Sequence, residues 1–135
     1  MASRLNPYFN FNGNARQALE FYRGVFGGNL NLTTFADLGA KDSPDAERIM
    51  HGQLDTDAGY TIMAADITSE MQYQSPAGFS ASISGDDDDA LHGYWDKLSA
   101  DGTVTMPLEK QAWGDEFGMC TDRFGIPWMV NVSQS

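Results

Sequence analysis

The sequence predicts an α+β fold built from a repeated βαβββ unit, and three observations carry that prediction. Apolar spacing switches between period 2 and period 3.6 in the same order twice: strand, helix, then three strands. The two helical stretches end on matching stops, Gly27-Gly28 and Asp101-Gly102, which follow the aromatic pairs Phe21-Tyr22 and Tyr94-Trp95 at nearly the same offset. Between the halves, residues 68–76 are polar and close on Ser75-Pro76, which reads as a linker. The first unit spans 5–67 and the second 77–132, within a single domain of 135 residues.

Each element has its own warrant. Residues 5–12 alternate, with Phe9 and Phe11 on one face and Asn6, Tyr8 and Asn10 on the other. Asn14 is a suitable N-cap for a helix whose stripe is Ala15, Ala18, Leu19, Tyr22, Val25 and Phe26. Strands follow over 30–36, 48–56 and 60–67, with a polar loop at 41–45. In the second unit, 78–84 alternates Phe79, Ala81 and Ile83 with three serines. The acidic run 86–89 then opens a helix with the stripe Ala90 or Leu91, Tyr94, Trp95 and Leu98. Strands over 103–111, 116–121 and 126–132 close the chain, the last two joined by the turn Asp122-Arg123-Phe124-Gly125.

Composition narrows the function. Nineteen acids against eight bases give a net charge of −11, so the basic footprint of a nucleic-acid binder is missing. No stretch has signal-peptide or membrane-span character, and the single cysteine, Cys120, fits a reducing compartment. The expectation is a cytoplasmic protein with no nucleic-acid or membrane partner. Cys120 itself reads as a small buried residue on an alternating strand. The run 86–89 lacks the ligand spacing and bend glycine of a calcium loop, so it reads as a helix opening. There is no G-x-G-x-x-G after a strand, no Walker loop and no G-x-S-x-G elbow.

The run GNARQALEFYRGVFGG near the start, and WGD, D-x-FG and WM-x-N near the end, resemble the PhnB-like branch of the vicinal-oxygen-chelate (glyoxalase/bleomycin-resistance/dioxygenase) superfamily. That resemblance implies two βαβββ units forming a curved mixed sheet around a cavity. It also implies a homodimer, since pairing covers leftover sheet edges. Metal-dependent members carry four cavity ligands, which fall here on Asn6 or Pro7, Met63, Gly78 and Met129. None is a ligand that zinc, iron or manganese prefers, so the expectation is no metal and no cofactor. Methionine at the second and fourth positions suits an adaptable apolar wall.

The cavity is expected to be lined by Tyr8, Asn10, Met63, Ser80, Ser82, Met129 and Asn131, with Trp113 at its mouth. His51 shares a strand face with Gln53 and is the weak candidate for a base; a strand histidine bonded to a neighbour is the plainer reading. His92 falls on the second helix, on its outer face, and is not expected to converge with His51. The leading reading is binding of a small organic molecule without a divalent metal, with catalysis left open. A drug-sequestering protein of the bleomycin-resistance type is the second reading, and a metal-dependent lyase or thiol transferase the third.

Overall fold

A computed structural model describes residues 3–134. The elements are β1 (Tyr8–Phe11), α1 (Ala15–Phe26), β2 (Asn29–Thr34), β3 (Ile49–Asp55), β4 (Thr61–Asp66), β5 (Ala81–Gly85), α2 (Asp88–Ser99), β6 (Thr103–Lys110), β7 (Glu116–Thr121) and β8 (Pro127–Val132), with a 3-10 turn at Ala36–Leu38 after β2. They form two compact units that divide between Gln74 and Ser75, inside the linker expected from composition. Each unit holds one helix and one four-stranded mixed sheet, ordered β1-β4-β3-β2 in the first and β5-β8-β7-β6 in the second. The first strand of each unit runs parallel to the last, and the remaining neighbours are antiparallel. Identical order and sense in both halves make this a βαβββ repeat.

The repeat is built by sequence at two further levels. In the first unit, α1 buries all six residues of its stripe, Ala15 through Phe26, and β1 adds Phe9 and Phe11 to that core. In the second unit Leu91, Trp95 and Leu98 are buried, while Ala90 and Tyr94 are half-buried at the stripe's margins. Glycines then open the close approaches. A Cβ at Gly118 would lie 2.8 Å from the Trp95 ring and 2.8 Å from the Leu108 Cα, and one at Gly52 would collide with Leu19 of α1. At the helix ends, a Cβ on Gly28 would lie 2.7 Å from the Thr56 Cα, and one on Gly102 3.1 Å from the Asp122 Cα. The residues before them, Gly27 and Asp101, both adopt positive φ, at 72° and 60°.

The ends of some elements differ from the periodicity. β1 begins at Tyr8, not residue 5, because Pro7 has no N–H to give a ladder and Leu5 is fully exposed. β2 stops at Thr34, where the Asp37 carboxylate and the Thr34 hydroxyl exchange bonds with each other's backbone N–H. β5 begins at Ala81, and Phe79, expected on its apolar face, is 54% exposed beyond it. Asn14 stands at the N-cap of α1 but its side chain makes no capping bond; a carboxylate from β4 takes that part. Among the described residues no helix is long and apolar enough to cross a membrane.

Candidate functional site

In the first unit, α1 covers one face of the sheet, and strand alternation turns Tyr8, Met63, Gln53 and His51 to the other. Register makes a row of the first three: Tyr8 faces Met63 across β1–β4, and Met63 faces Gln53 across β4–β3. Asn10, exposed, follows Tyr8 on the same face and pairs with Ala65. The Tyr8 hydroxyl and His51 Nδ1 share a hydrogen bond of 3.2 Å, with ring centroids 5.8 Å apart. Burial pushes the Tyr8 phenol above its ordinary value, so it stays protonated and available as a donor. The Gln53 amide donates to both oxygens of Asp55 at 3.1 Å, which fixes its carbonyl outward as an acceptor. Phenol, imidazole, amide and thioether thus stand side by side on a sheet face that carries no helix.

The second unit repeats the layout with different chemistry. Ser82 faces Met129, Met129 faces Met119, and Met119 faces Met106, so the row equivalent to Tyr8–Met63–Gln53 is mostly thioether. Met63 and Met129 hold equivalent places in the two units, each opposite the first strand. One step along, Asn131 faces Phe117, and its amide donates to Asp115 at 3.1 Å. Trp113, 63% exposed, stands over the edge of Phe117 with centroids 6.1 Å apart. Ser80 lies just ahead of β5, half-buried. Tyr8, Asn10 and Met63 therefore come together in one unit, and Ser82, Met129, Asn131 and Trp113 in the other.

The four positions onto which the resemblance maps metal ligands, Asn6 or Pro7, Met63, Gly78 and Met129, carry no imidazole or carboxylate. The Asn6 amide is turned to the Pro7 carbonyl at 3.0 Å, and Gly78 lies ahead of β5 at positive φ. Cys120 is buried, and burial first, then the charge of Asp122, raises its thiol to about 11, which leaves it unreactive. The amino ends of both helices are filled by carboxylates of this chain. Asp66 Oδ1 accepts from Gly13 and Ala15, and Asp87 Oδ1 from Ala90. A phosphate-bearing cofactor finds neither end vacant.

One grouping escaped the sequence reading. On the helix-covered side of the second sheet, His92 Nε2 lies 2.5 Å from Glu116 Oε2 and 3.5 Å from Asp88 Oδ1. The hydrogen bond to Glu116 raises the imidazole above its ordinary value, against an opposing effect of burial. The i, i+4 spacing of Asp88 and His92 was visible in the chain. That Glu116 opens β7 beside them depends on sheet order, which spacing does not give.

Comparison with known proteins adds the following. Residues 3–131 match the family model described as 3-demethylubiquinone-9 3-methyltransferase. The protein PA1353 from Pseudomonas aeruginosa is 34% identical, with a TM-score of 0.88 over 99% of this chain and 100% of its own. The putative 3-demethylubiquinone-9 3-methyltransferase, PhnB protein, from Bacillus cereus is 18% identical, with a TM-score of 0.73 over 97% of this chain and 100% of its own. A glyoxylase/bleomycin resistance protein/dioxygenase domain from Frankia sp. EAN1pec shares the fold at 12% identity, with a TM-score of 0.66 over 99% of each.

Proposed function

The chain belongs to the family described as 3-demethylubiquinone-9 3-methyltransferase, and from that premise we propose that, as a PhnB-like protein of the glyoxalase/bleomycin resistance/dioxygenase superfamily, it binds a small organic molecule on the helix-free faces of its sheets, without a divalent metal there. The observation that carries this is the matched pair of rows, Tyr8–Met63–Gln53 and Ser82–Met129–Met119. Apolar, polarisable walls with a few hydrogen-bonding groups are what such a ligand needs. The fitting ligand has a flat or branched apolar body with a polar group for the Tyr8–His51 pair on the first unit's face, or one for the Asn131 side chain on the second's.

Methyl transfer from a nucleoside donor finds no support in the chain's own chemistry. Both strand-to-helix turns are closed by Asp66 and Asp87, where such folds would seat a cofactor's anionic group. The protein works as a homodimer in this proposal. The outer strands of each sheet carry backbone groups that a second copy can pair, and such an interface would bury upward of about 1,000 Å².

Native mass spectrometry of freshly purified protein tests the reading. The expected result is a dimer carrying a retained small molecule, lost from a Met63→Lys or a Met129→Lys variant that still folds. Bare protein in repeated preparations, or the same molecule on both variants, would overturn it.

A further inference from the structure

We propose that Asp88, His92 and Glu116 form a binding site for a divalent transition ion, zinc foremost, on the helix-covered side of the second sheet. Their ligand atoms all lie within 4.8 Å of one another, and they come from two elements, the first turns of α2 and the start of β7. Asp88 and His92 are i, i+4 on one helix, so their side chains reach the same point above it. Capping of α2 falls to Asp87, which accepts from Ala90 at 3.1 Å, while the Asp88 carboxylate turns to His92 instead. Glu116 stands on the helix side because its neighbour Phe117 takes the opposite face and Gly118, two residues on, lies under Trp95.

The donor set chooses the ion. One imidazole and two carboxylates suit zinc and its neighbours, whereas calcium takes six to eight oxygens and magnesium keeps most of its waters. Tetrahedral bonds of about 2.0–2.1 Å set donor atoms roughly 3.3 Å apart. The His92–Asp88 distance of 3.5 Å already matches. The His92–Glu116 distance of 2.5 Å is that of a shared proton, and exchanging the proton for the ion widens it. Asp88 is exposed and Glu116 partly so, so side-chain rotation alone can make that adjustment, and water completes the coordination. Bound there, the ion ties the start of α2 to β7. This inference does not rest on the ligand-binding reading, which concerns the opposite sheet faces.

Isothermal titration of zinc chloride into whole, chelator-stripped protein provides the test, with the cobalt(II) visible spectrum as a second readout. One equivalent should bind, unaffected by excess magnesium, and cobalt should give absorption bands that require an imidazole ligand. His92→Gln and Glu116→Gln should each weaken zinc binding by about tenfold or more, with unchanged near-ultraviolet circular dichroism in chelator. Asp89→Asn removes a charge from the same turn but no ligand, and should bind as the unaltered protein does. Three results would overturn the proposal: no saturable one-to-one binding, binding unchanged in both ligand variants, or an equal loss in Asp89→Asn.

Discussion

The carboxylate of Asp66, at the end of β4, closes the amino end of α1 through the backbone of Ala15. Its Oδ1 accepts from Ala15 and Gly13, and its Oδ2 from Ile49 of β3, each at 2.9 Å. One buried side chain thus joins helix, turn and sheet in the first unit. The residue at the helix's N-cap, Asn14, contributes no side-chain bond.

A pair of substitutions separates these two roles. Asp66→Asn turns an amide N–H toward backbone donors and removes the charge, which should cost about 2–3 kcal/mol. Asn14→Ala should cost less than about 0.5 kcal/mol, well below the usual penalty for losing an N-cap. Urea denaturation of both variants measures the difference, and equal losses would show that Asn14 does cap the helix.

Close packing at the matched glycines makes the second prediction. At Gly118 a methyl group would press on the Leu108 backbone and the Trp95 ring, and backbone cannot step aside. Gly118→Ala should destabilise the protein by about 1–3 kcal/mol. Gly93, inside α2 with nothing within 4 Å of its virtual Cβ, is the opposite case. Gly93→Ala should stabilise by up to about 1 kcal/mol, through helix propensity. Thermal melts of the two variants should move in opposite directions.

These contrasts show where the chain was legible. Period-two and period-3.6 spacing and repeated stops are local signals, and they foretold both α-helices and all eight strands of the described residues, but not the 3-10 turn at Ala36–Leu38. Element ends were less legible where a competing bond decided them, as Asp37 does at Thr34 or Asp66 at Asn14. The closing turn illustrates the same limit. Asp122 reads as a turn residue, but its buried carboxylate also accepts from the Trp128 indole at 2.8 Å, six positions away on the next strand. On the candidate site, alternation put Tyr8 and Asn10 on one strand face and Ser80 and Ser82 on another, while Met63 and Met129 came from the family resemblance; pairing Tyr8 with Met63 and Ser82 with Met129 needed register. The Tyr8–His51 bond needed the third strand's register, and the His92–Glu116 contact needed the order of the sheet.

The third prediction concerns pH. In chelated buffer the His92 ring should titrate above its ordinary value of 6.5, because the Glu116 carboxylate holds its proton. Glu116→Gln should bring it down, as followed by the imidazole resonances. A raised folded-state value means that the pair's contribution to stability is full below the unfolded value and fades as pH rises through the folded one. Glu116→Gln should therefore destabilise more at about pH 6 than at about pH 9. A loss independent of pH would mean that Glu116 acts by packing and not by charge.

The most direct measurement is a methionine-methyl NMR titration of whole protein in excess chelator, screening small aromatic and aliphatic acids, amines and amides. Met63 and Met129 lie within the proposed binding faces, and Met71, 58% exposed in the linker, serves as the internal control. Metal-free binding on these faces predicts compounds that shift the Met63 or Met129 methyl saturably, leave Met71 unmoved and need no metal. A screen in which no compound moves either methyl, or in which binding appears only when a divalent ion is restored, would contradict it.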